Sequence, residues 1–196
     1  MIAIIQYNAG NIKSVENAIL NLGYKCIVTD DAKLINSADK VILPGVGEAS
    51  SAMKYLKEKK IDSLIKELKQ PVLGICLGQQ LMCKSSEEGN VACLGIFNSI
   101  VKKFPKRNIT PHLGWNNMYD LKDVLFKGIK ESDDFYFVHN YYCDLSLETI
   151  AVCNYIIPFS AAMKKNNFFG VQFHPEKSSK IGKTFLTNFD RKINKN

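Results

Sequence analysis

The chain contains 196 residues, of which 46% are apolar, and it carries a formal net charge of +7. This length and apolar content are enough for one substantial hydrophobic core, so we expect a single domain over residues 1–196. The charge comes almost entirely from lysine, because only two of the 26 basic residues, Arg107 and Arg191, are arginines. Arginine gives the bidentate contacts to bases and phosphates, so the composition indicates a solvated lysine surface and no nucleic-acid partner.

The sequence also lacks the signals of a membrane or secreted protein. No apolar run reaches the roughly 18–20 residues that a membrane-spanning helix needs, and the start at Met1 has no basic leader and cleavage site. We therefore expect no membrane association and a cytoplasmic location. The six cysteines show no Cys-x-x-Cys spacing, which predicts reduced thiols, no disulfide and no metal.

In the first half of the chain, short apolar strands alternate with segments of helical period. In chain order, the predicted elements are a strand at 2–6, a helix at 12–22, strands at 26–29 and 40–43, a lysine-rich helix at 53–69 and a strand at 72–75. This alternation predicts a parallel sheet with helices on both faces.

Beyond Gly89 the pattern changes to strand-like pieces separated by turns, at 96–103, 135–138, 149–154 and 168–173, before a closing helix at 179–190. We expect these strands to form an antiparallel extension that returns His174 to the sheet edge. The predicted fold class is therefore α/β: an open, mostly parallel, twisted sheet flanked by helices, with an antiparallel extension. In such sheets the functional site lies at the carboxyl ends of the parallel strands.

The segment Gly74-Ile75-Cys76-Leu77-Gly78 follows the apolar strand at 72–75 directly. Glycines on both sides of Cys76 allow a sharp strand-to-helix turn and a close approach by a substrate carbonyl, as in a nucleophile elbow. The turn places Cys76 at a helix N-terminus, where backbone N–H groups and the helix dipole favour the thiolate. A free cysteine is also commonly a buried apolar residue without a catalytic role. The elbow therefore indicates a nucleophile only together with a second motif that supplies a base.

That second motif is His174-Pro175-Glu176, which ends the apolar stretch at 169–173. Residues two apart on extended backbone point to the same side, so we expect the side chains of His174 and Glu176 to be adjacent. Glu176 would then orient the imidazole, and His174 would exchange a proton with the thiol and with a leaving amine. The simpler interpretation is a strand that ends in a polar turn.

Together the two motifs resemble the class I (triad) glutamine amidotransferases, in which a nucleophile elbow is followed much later by His-Pro-Glu. The resemblance implies that Cys76, His174 and Glu176 form a catalytic triad that hydrolyses L-glutamine through a thioester without a cofactor. The loop Pro44-Gly45-Val46-Gly47 is similar to the oxyanion loop of this family. The resemblance then implies that the backbone amides of Val46, Gly47 and Leu77 stabilise the reaction's anion.

Within that family, five segments are similar to the glutaminase subunits of imidazole glycerol phosphate synthases: 7–11, 44–47, 85–89, 111–116 and 136–142. This similarity implies a set of glutamine-binding residues: Gln80, Glu88, Asn140 and Tyr141. It implies a heterodimer with a (β/α)₈-barrel cyclase subunit, which receives the ammonia through a protected channel for histidine biosynthesis. The implied interface residues are Asn11, Trp115, Tyr136 and Lys177.

The sequence departs from the usual pattern of this subfamily at Gln6, Asn8, Gln79 and Leu113, and other interpretations stay open. One is a paralogous amidotransferase subunit that supplies ammonia to a non-histidine pathway, such as surface-sugar amination. A second is a cysteine hydrolase or protein-repair enzyme of another α/β family. A third is a non-catalytic binding subunit that retains the fold.

Overall fold

The computed structural model describes residues 1–105 and 109–193, so Arg107 lies outside the described residues. Its first half alternates strands and helices: β1 (Ile2–Ile5), α1 (Ile12–Asn21), β2 (Cys26–Thr29), α2 (Ala32–Ser37), β3 (Lys40–Leu43), α3 (Ala49–Glu58), α4 (Ile61–Glu67), β4 (Val72–Ile75) and α5 (Leu77–Met82). The second half is mostly strand: β5 (Ser85–Ser86), β6 (Val91–Ala92), β7 (Ile100–Lys103), β8 (His112–Asn117), β9 (Asp134–His139), β10 (Tyr141–Cys143), β11 (Thr149–Tyr155), β12 (Ile157–Lys165), β13 (Phe168–Val171) and the final helix α6 (Ser179–Lys192).

Seven strands form the central sheet in the order β11-β12-β13-β4-β3-β1-β2. The five strands from β13 to β2 run parallel, whereas β11 and β12 are antiparallel to their neighbours. Buried apolar side chains cover both faces of this sheet and pack against the helices. The predicted α/β class, with a mostly parallel sheet and an antiparallel extension, is confirmed.

The strand that leads to His174 is not at the edge of the sheet, contrary to our expectation. β13 lies inside it, paired in parallel with β4, and β11 and β12 lie further out. The long strand β12 was not predicted, because its Ser160-Ala161-Ala162 centre lacks the β-branched and aromatic residues typical of strands. The remaining strands form two smaller sheets, β10-β7-β5-β6 and the antiparallel pair β8-β9.

The predicted lysine-rich helix at 53–69 is instead two helices, α3 and α4. The chain breaks at Lys60, whose φ of 58° is left-handed. Leu56 and Ile61 are both buried, but five residues correspond to about 500° of helical rotation, so one continuous helix would turn them to different faces. The break lets both side chains reach the core.

Helix α5 packs very closely on the sheet, and glycine makes this possible. A Cβ added to Gly78 would lie 1.9 Å from the carbonyl oxygen of Leu43, and one added to Gly74 would lie 2.6 Å from the backbone of Gly78. These glycines therefore hold the start of α5 against β3 and β4. Within residues 1–105 and 109–193, no helix combines the length and hydrophobicity that crossing a membrane requires.

Candidate active site

The carboxyl ends of three neighbouring parallel strands lie side by side at one end of the central sheet. The loop at Pro44 follows β3, Cys76 follows β4, and His174 lies three residues after β13. The order of the strands therefore brings together segments that are up to 130 positions apart in the sequence. Open α/β sheets bind their ligands at the carboxyl ends of the parallel strands.

Cys76 occupies the strained turn that the flanking glycines predict. Its φ of 53° and ψ of −107° lie outside the regions that a residue with a Cβ ordinarily adopts. A backbone hydrogen bond of 2.7 Å from its N–H to the Val171 carbonyl ties the turn to β13. Cys76 is the residue immediately before α5, and it is only 5% exposed. Backbone strain of this kind clusters at functional sites, where the surrounding structure maintains it.

His174 and Glu176 form a buried ion pair. The Nδ1 atom of His174 is 2.7 Å from Oε1 of Glu176, and neither side chain is exposed to solvent. The two residues do not lie on extended backbone as expected, because Glu176 is part of a 3₁₀ turn at Pro175–Lys177. This turn nevertheless brings the Glu176 carboxylate into hydrogen-bonding contact with the His174 imidazole.

The charges around His174 favour its protonated form. Burial lowers the His174 pKa, but the Cys76 sulfur and the Glu176 carboxylate outweigh this effect and raise the pKa to about 10. The other ring nitrogen, Nε2, is buried and makes no hydrogen bond to a nitrogen or oxygen atom of the described residues. It is therefore available for proton exchange with the sulfur or with a leaving group.

A cavity of about 290 Å³ opens in front of Cys76. This volume is at the lower end of the range of roughly 300–1,000 Å³ that is usual for small-molecule sites. Its lining includes every residue that the sequence assigned to the oxyanion and glutamine-binding sets: Val46, Gly47, Leu77, Gln80, Glu88, Asn140 and Tyr141. The fold thus places these residues around Cys76, the predicted nucleophile.

A model of the glutamine amidotransferase class-I family matches residues 3–192. The chain belongs to this family. It is 54% identical over 191 residues to the imidazole glycerol phosphate synthase subunit HisH of Bacteroides fragilis, with 96% of this chain and 97% of that protein covered. It is 46% identical over 194 residues to the HisH subunit of Haemophilus influenzae, with 98% of each covered.

Solved structures show the same fold. A glutamine amidotransferase from Thermotoga maritima superposes with a TM-score of 0.66 at 18% identity, and the match covers 97% of this chain and 82% of that one. The predicted resemblance to class I amidotransferases is confirmed, and the chain is a glutamine amidotransferase enzyme. The alternative of a cysteine hydrolase from another α/β family is excluded by this membership.

In this glutamine amidotransferase the loop at 44–47, which we predict to bind the oxyanion, has hydrogen bonds within the protein that involve one of the predicted donors. The Leu77 N–H, one of the three predicted donors, donates to the Gly45 carbonyl over 3.2 Å. The Val46 carbonyl accepts a 3.3 Å hydrogen bond from the Gly10 N–H. The Leu77 N–H, a predicted oxyanion donor, is therefore occupied by the Gly45 carbonyl oxygen in this structure.

The predicted glutamine-binding side chains are held by specific contacts. Gln80 donates from Nε2 to the Tyr141 carbonyl and to Oε1 of Gln172, both over 2.9 Å. Glu88 accepts a 2.9 Å hydrogen bond from the Ala49 N–H at the start of α3. Burial raises the pKa of Glu88 despite this bond. Gln80 and Glu88 are thus anchored before any ligand is bound.

The four predicted interface residues fall into two groups. Trp115 and Tyr136 face each other across the β8-β9 pair with ring centroids 5.9 Å apart, and Nζ of Lys177 lies 5.9 Å from the Tyr136 ring. Trp115 is 54% exposed, so this cluster is open to a partner. Asn11 instead points inward and donates a short hydrogen bond from Nδ2 to Oε1 of Glu176.

Sequence reasoning missed Gln172, whose Nε2 lies 3.5 Å from the Cys76 sulfur. A signal was present, because Gln172 is the one polar side chain inside the apolar stretch at 169–173 and lies two positions before His174. No individual role was predicted for His139, which lies in the segment at 136–142. In the structure, Nε2 of His139 is 3.0 Å from Nδ1 of His112, and the two buried rings form a hydrogen-bonded pair beside the cavity. Their separation of 27 positions gives no local signal.

Proposed function

We propose that the chain is the glutaminase subunit of an imidazole glycerol phosphate synthase, supplying ammonia from L-glutamine to a cyclase subunit in histidine biosynthesis. The observation that carries this proposal is the 54% identity to a subunit of that name over nearly the full length of both chains. The cavity in front of Cys76 and the exposed cluster around Trp115 support it.

In this mechanism the Cys76 thiolate attacks the side-chain carboxamide carbon of glutamine. The His174 imidazolium gives its proton to the departing ammonia, which leaves a thioester on Cys76. Neutral His174 then takes a proton from water, whose oxygen attacks the thioester and releases glutamate and the thiolate. Glu176 stabilises the imidazolium, and the raised His174 pKa of about 10 keeps His174 protonated at neutral pH, so that it can give its proton to the departing ammonia.

The oxyanion loop requires a rearrangement before this chemistry can proceed. Rotating the peptide between Gly45 and Val46 would withdraw the Gly45 carbonyl from the Leu77 N–H and turn the Val46 N–H toward the substrate. Gly45 reduces the steric cost of such a rotation, because the rotation changes the ψ angle of this glycine. We propose that the partner subunit and its ligand favour the rotated loop.

We propose a (β/α)₈-barrel cyclase as the partner in a heterodimer, docked on the cluster of Trp115, Tyr136 and Lys177. The backbone connects this cluster to the triad, because the Tyr136 carbonyl accepts from the His174 N–H over 2.8 Å. The Tyr136 N–H donates to Oγ of Ser178 over 3.0 Å. The thiol chemistry also requires reduced Cys76, which supports a cytoplasmic location.

The test is glutamate release from L-glutamine by the chain alone, with the barrel subunit, and with that subunit plus its ribotide ligand. We expect the complete system to be stimulated about 10²–10³-fold, equivalent to roughly 3–4 kcal/mol of coupling. Cys76→Ala should keep its fold and lose turnover in all three conditions.

Two outcomes would contradict the proposal at different points. Full activity of the chain alone would reject the unready oxyanion loop. Glutaminase activity that the ribotide does not raise would retain the chemistry and assign the ammonia to another acceptor pathway.

A further inference from the structure

Gln172 lies beside the nucleophile and is completely buried. Strand register explains its position. Val171 at the end of β13 is paired with Ile75 at the end of β4, so the residues that follow them, Gln172 and Cys76, are neighbours. Two backbone hydrogen bonds fix the pair: Cys76 N–H donates to the Val171 carbonyl over 2.7 Å, and Gln172 N–H donates to the Ala161 carbonyl over 2.8 Å. Nε2 of Gln172 is 3.5 Å from the Cys76 sulfur.

The hydrogen-bond network determines which end of the Gln172 carboxamide faces the sulfur. Gln80 contacts the Tyr141 backbone carbonyl over 2.9 Å. A carbonyl oxygen only accepts, so the contacting atom of Gln80 is its amide nitrogen. That nitrogen also contacts the Gln172 side chain over 2.9 Å, where the partner must accept and is therefore Oε1. The nitrogen of Gln172 is consequently the end that points to Cys76.

We propose that Gln172 is a further catalytic residue that donates an N–H hydrogen bond to the Cys76 thiolate, and that Gln80 is the positioning residue that holds its carboxamide. A hydrogen bond to an anion is roughly twice as strong as one between neutral groups, so this donor favours the thiolate over the thiol. The proposal rests on the proposed role of Cys76 as the nucleophile.

The same contacts define what Gln80 offers to a substrate. Both hydrogens of its amide nitrogen are used, one by the Tyr141 carbonyl and one by Gln172. Only Oε1 of Gln80 is left for glutamine in the cavity, so Gln80 binds a substrate N–H as an acceptor. One side chain thus joins the substrate site to the donor that faces the nucleophile.

The experiment is the pH dependence of iodoacetamide alkylation of Cys76 in the free chain, followed by mass spectrometry of the peptide that contains it. Peptide resolution is needed because Cys26 and Cys93 are also partly exposed. Two variants are compared with the wild type. Gln172→Met removes the donor without adding charge, and Gln172→Glu keeps the shape and removes the donor.

We expect both variants to raise the pH midpoint of Cys76 alkylation, by about one unit in Gln172→Met. This shift corresponds to about tenfold slower alkylation below both midpoints. Gln70→Glu is the matched control, because Gln70 is also buried but contacts the Ile35 and Asn36 carbonyls and precedes β4, whereas Cys76 follows the other end of that strand. Its Cys76 midpoint should equal that of the wild type, and the Cys26 rate should be the same in all chains.

An unchanged midpoint in Gln172→Met would overturn the proposal, including the case in which only Gln172→Glu raises it by charge repulsion. If Gln172→Met fails to fold, Gln80→Met serves instead, because it leaves Gln172 in place and removes the contact that orients it. A midpoint equal to that of the wild type in Gln80→Met would then overturn the proposal.

The readout requires neither glutamine nor a partner, so it separates this inference from the proposed function. A raised midpoint in a chain whose glutaminase activity the barrel and ribotide do not stimulate would support the inference and contradict the histidine-pathway assignment. Stimulated glutaminase activity with an unchanged midpoint in Gln172→Met would do the reverse.

Discussion

The carboxylate of Glu176 shows how one residue of the site depends on its immediate neighbours. Its side chain is fully buried, and Oε2 makes no hydrogen bond to any residue in the described ranges. A buried carboxylate is costly unless it is paired and hydrogen-bonded. Oε1 has two partners, His174 and Asn11. We had assigned Asn11 to the subunit interface, and the structure adds this contact within the site.

Replacing Asn11 with leucine should therefore impair chemistry and not only association. Loss of the Nδ2 donor weakens the orientation of Glu176 and, through it, of His174. We expect the kcat for glutamate release to fall about tenfold at saturating barrel subunit, which corresponds to roughly 1.4 kcal/mol.

Asn8→Ala is the matched control for this substitution. Asn8 lies in the same loop, but its amide donates to Oγ of Ser51 over 2.7 Å instead of to the triad. An Asn11→Leu enzyme with normal kcat and weaker affinity for the barrel would place Asn11 in the interface alone.

At the scale of elements, the β8-β9 pair contains a hydrogen-bonded histidine pair with a defined direction. Nδ1 of His139 is 2.7 Å from the Tyr141 carbonyl and must donate to it. Nε2 of His139 then accepts from Nδ1 of His112 over 3.0 Å. The Asn116 amide lies 3.2 Å from Nε2 of His112, which completes the series. Both imidazoles are neutral in this arrangement, and a proton on either would disrupt it.

This arrangement predicts a loss of stability in mild acid. Burial lowers the pKa of His112 to about 4, and burial together with the neighbouring His112 lowers the pKa of His139 to about 3. Below the ordinary value of 6.5, the unfolded chain binds protons that the folded chain does not. The free energy of unfolding should therefore fall as the pH drops from 6.5 to 4, by on the order of 3 kcal/mol per histidine.

Urea unfolding at a series of pH values tests this prediction. His112→Gln should show a smaller loss of stability between pH 6.5 and 4 than the wild type. His174 does not itself contribute to this acid loss, because its pKa is raised and its stabilising effect is lost only as the pH rises from 6.5 toward 10. An acid slope unchanged by His112→Gln would contradict the assignment.

The elements that could be predicted from sequence are those whose signal is local. The elbow at Cys76 and the parallel strands before it follow from glycine spacing and short apolar runs. The two lysine-rich helices, by contrast, were merged into one, because burial of both Leu56 and Ile61 decides the break and is a tertiary effect. β12 and the internal place of β13 depend on pairing between distant strands, which no local pattern encodes.

The site divides in the same way. Its oxyanion and substrate residues came from family resemblance, and the structure places them around one cavity. The contacts among them could not be predicted, since the Gln80–Gln172 and His112–His139 bonds join residues 92 and 27 positions apart. Such contacts require the assembled sheet.

At the scale of the whole molecule, one surface combines exposed apolar side chains with a backbone connection to His174 of the proposed triad. Leu113 and Trp115 lie two positions apart on the same face of β8 and are 62% and 54% exposed, so their side chains form an exposed apolar patch of the kind that partners bind. The Tyr136 ring packs against the Trp115 ring, and the Tyr136 carbonyl accepts a hydrogen bond from the His174 N–H. A partner that packs on this surface would therefore contact a residue that holds the backbone of His174, the proposed general base.

Lys177→Ala tests the coupling between this surface and His174. The Lys177 ammonium lies over the Tyr136 ring, and Lys177 directly follows Glu176 in the sequence. We expect partner-stimulated glutamate release to fall about tenfold, equivalent to roughly 1.4 kcal/mol of coupling, while alkylation of Cys76 in the free chain stays unchanged. Lys59→Ala is the matched control, since its ammonium lies at the same 5.9 Å from the Tyr55 ring on α3. Stimulation that survives in Lys177→Ala, or that falls equally in Lys59→Ala, would remove Lys177 from the route between the partner and His174.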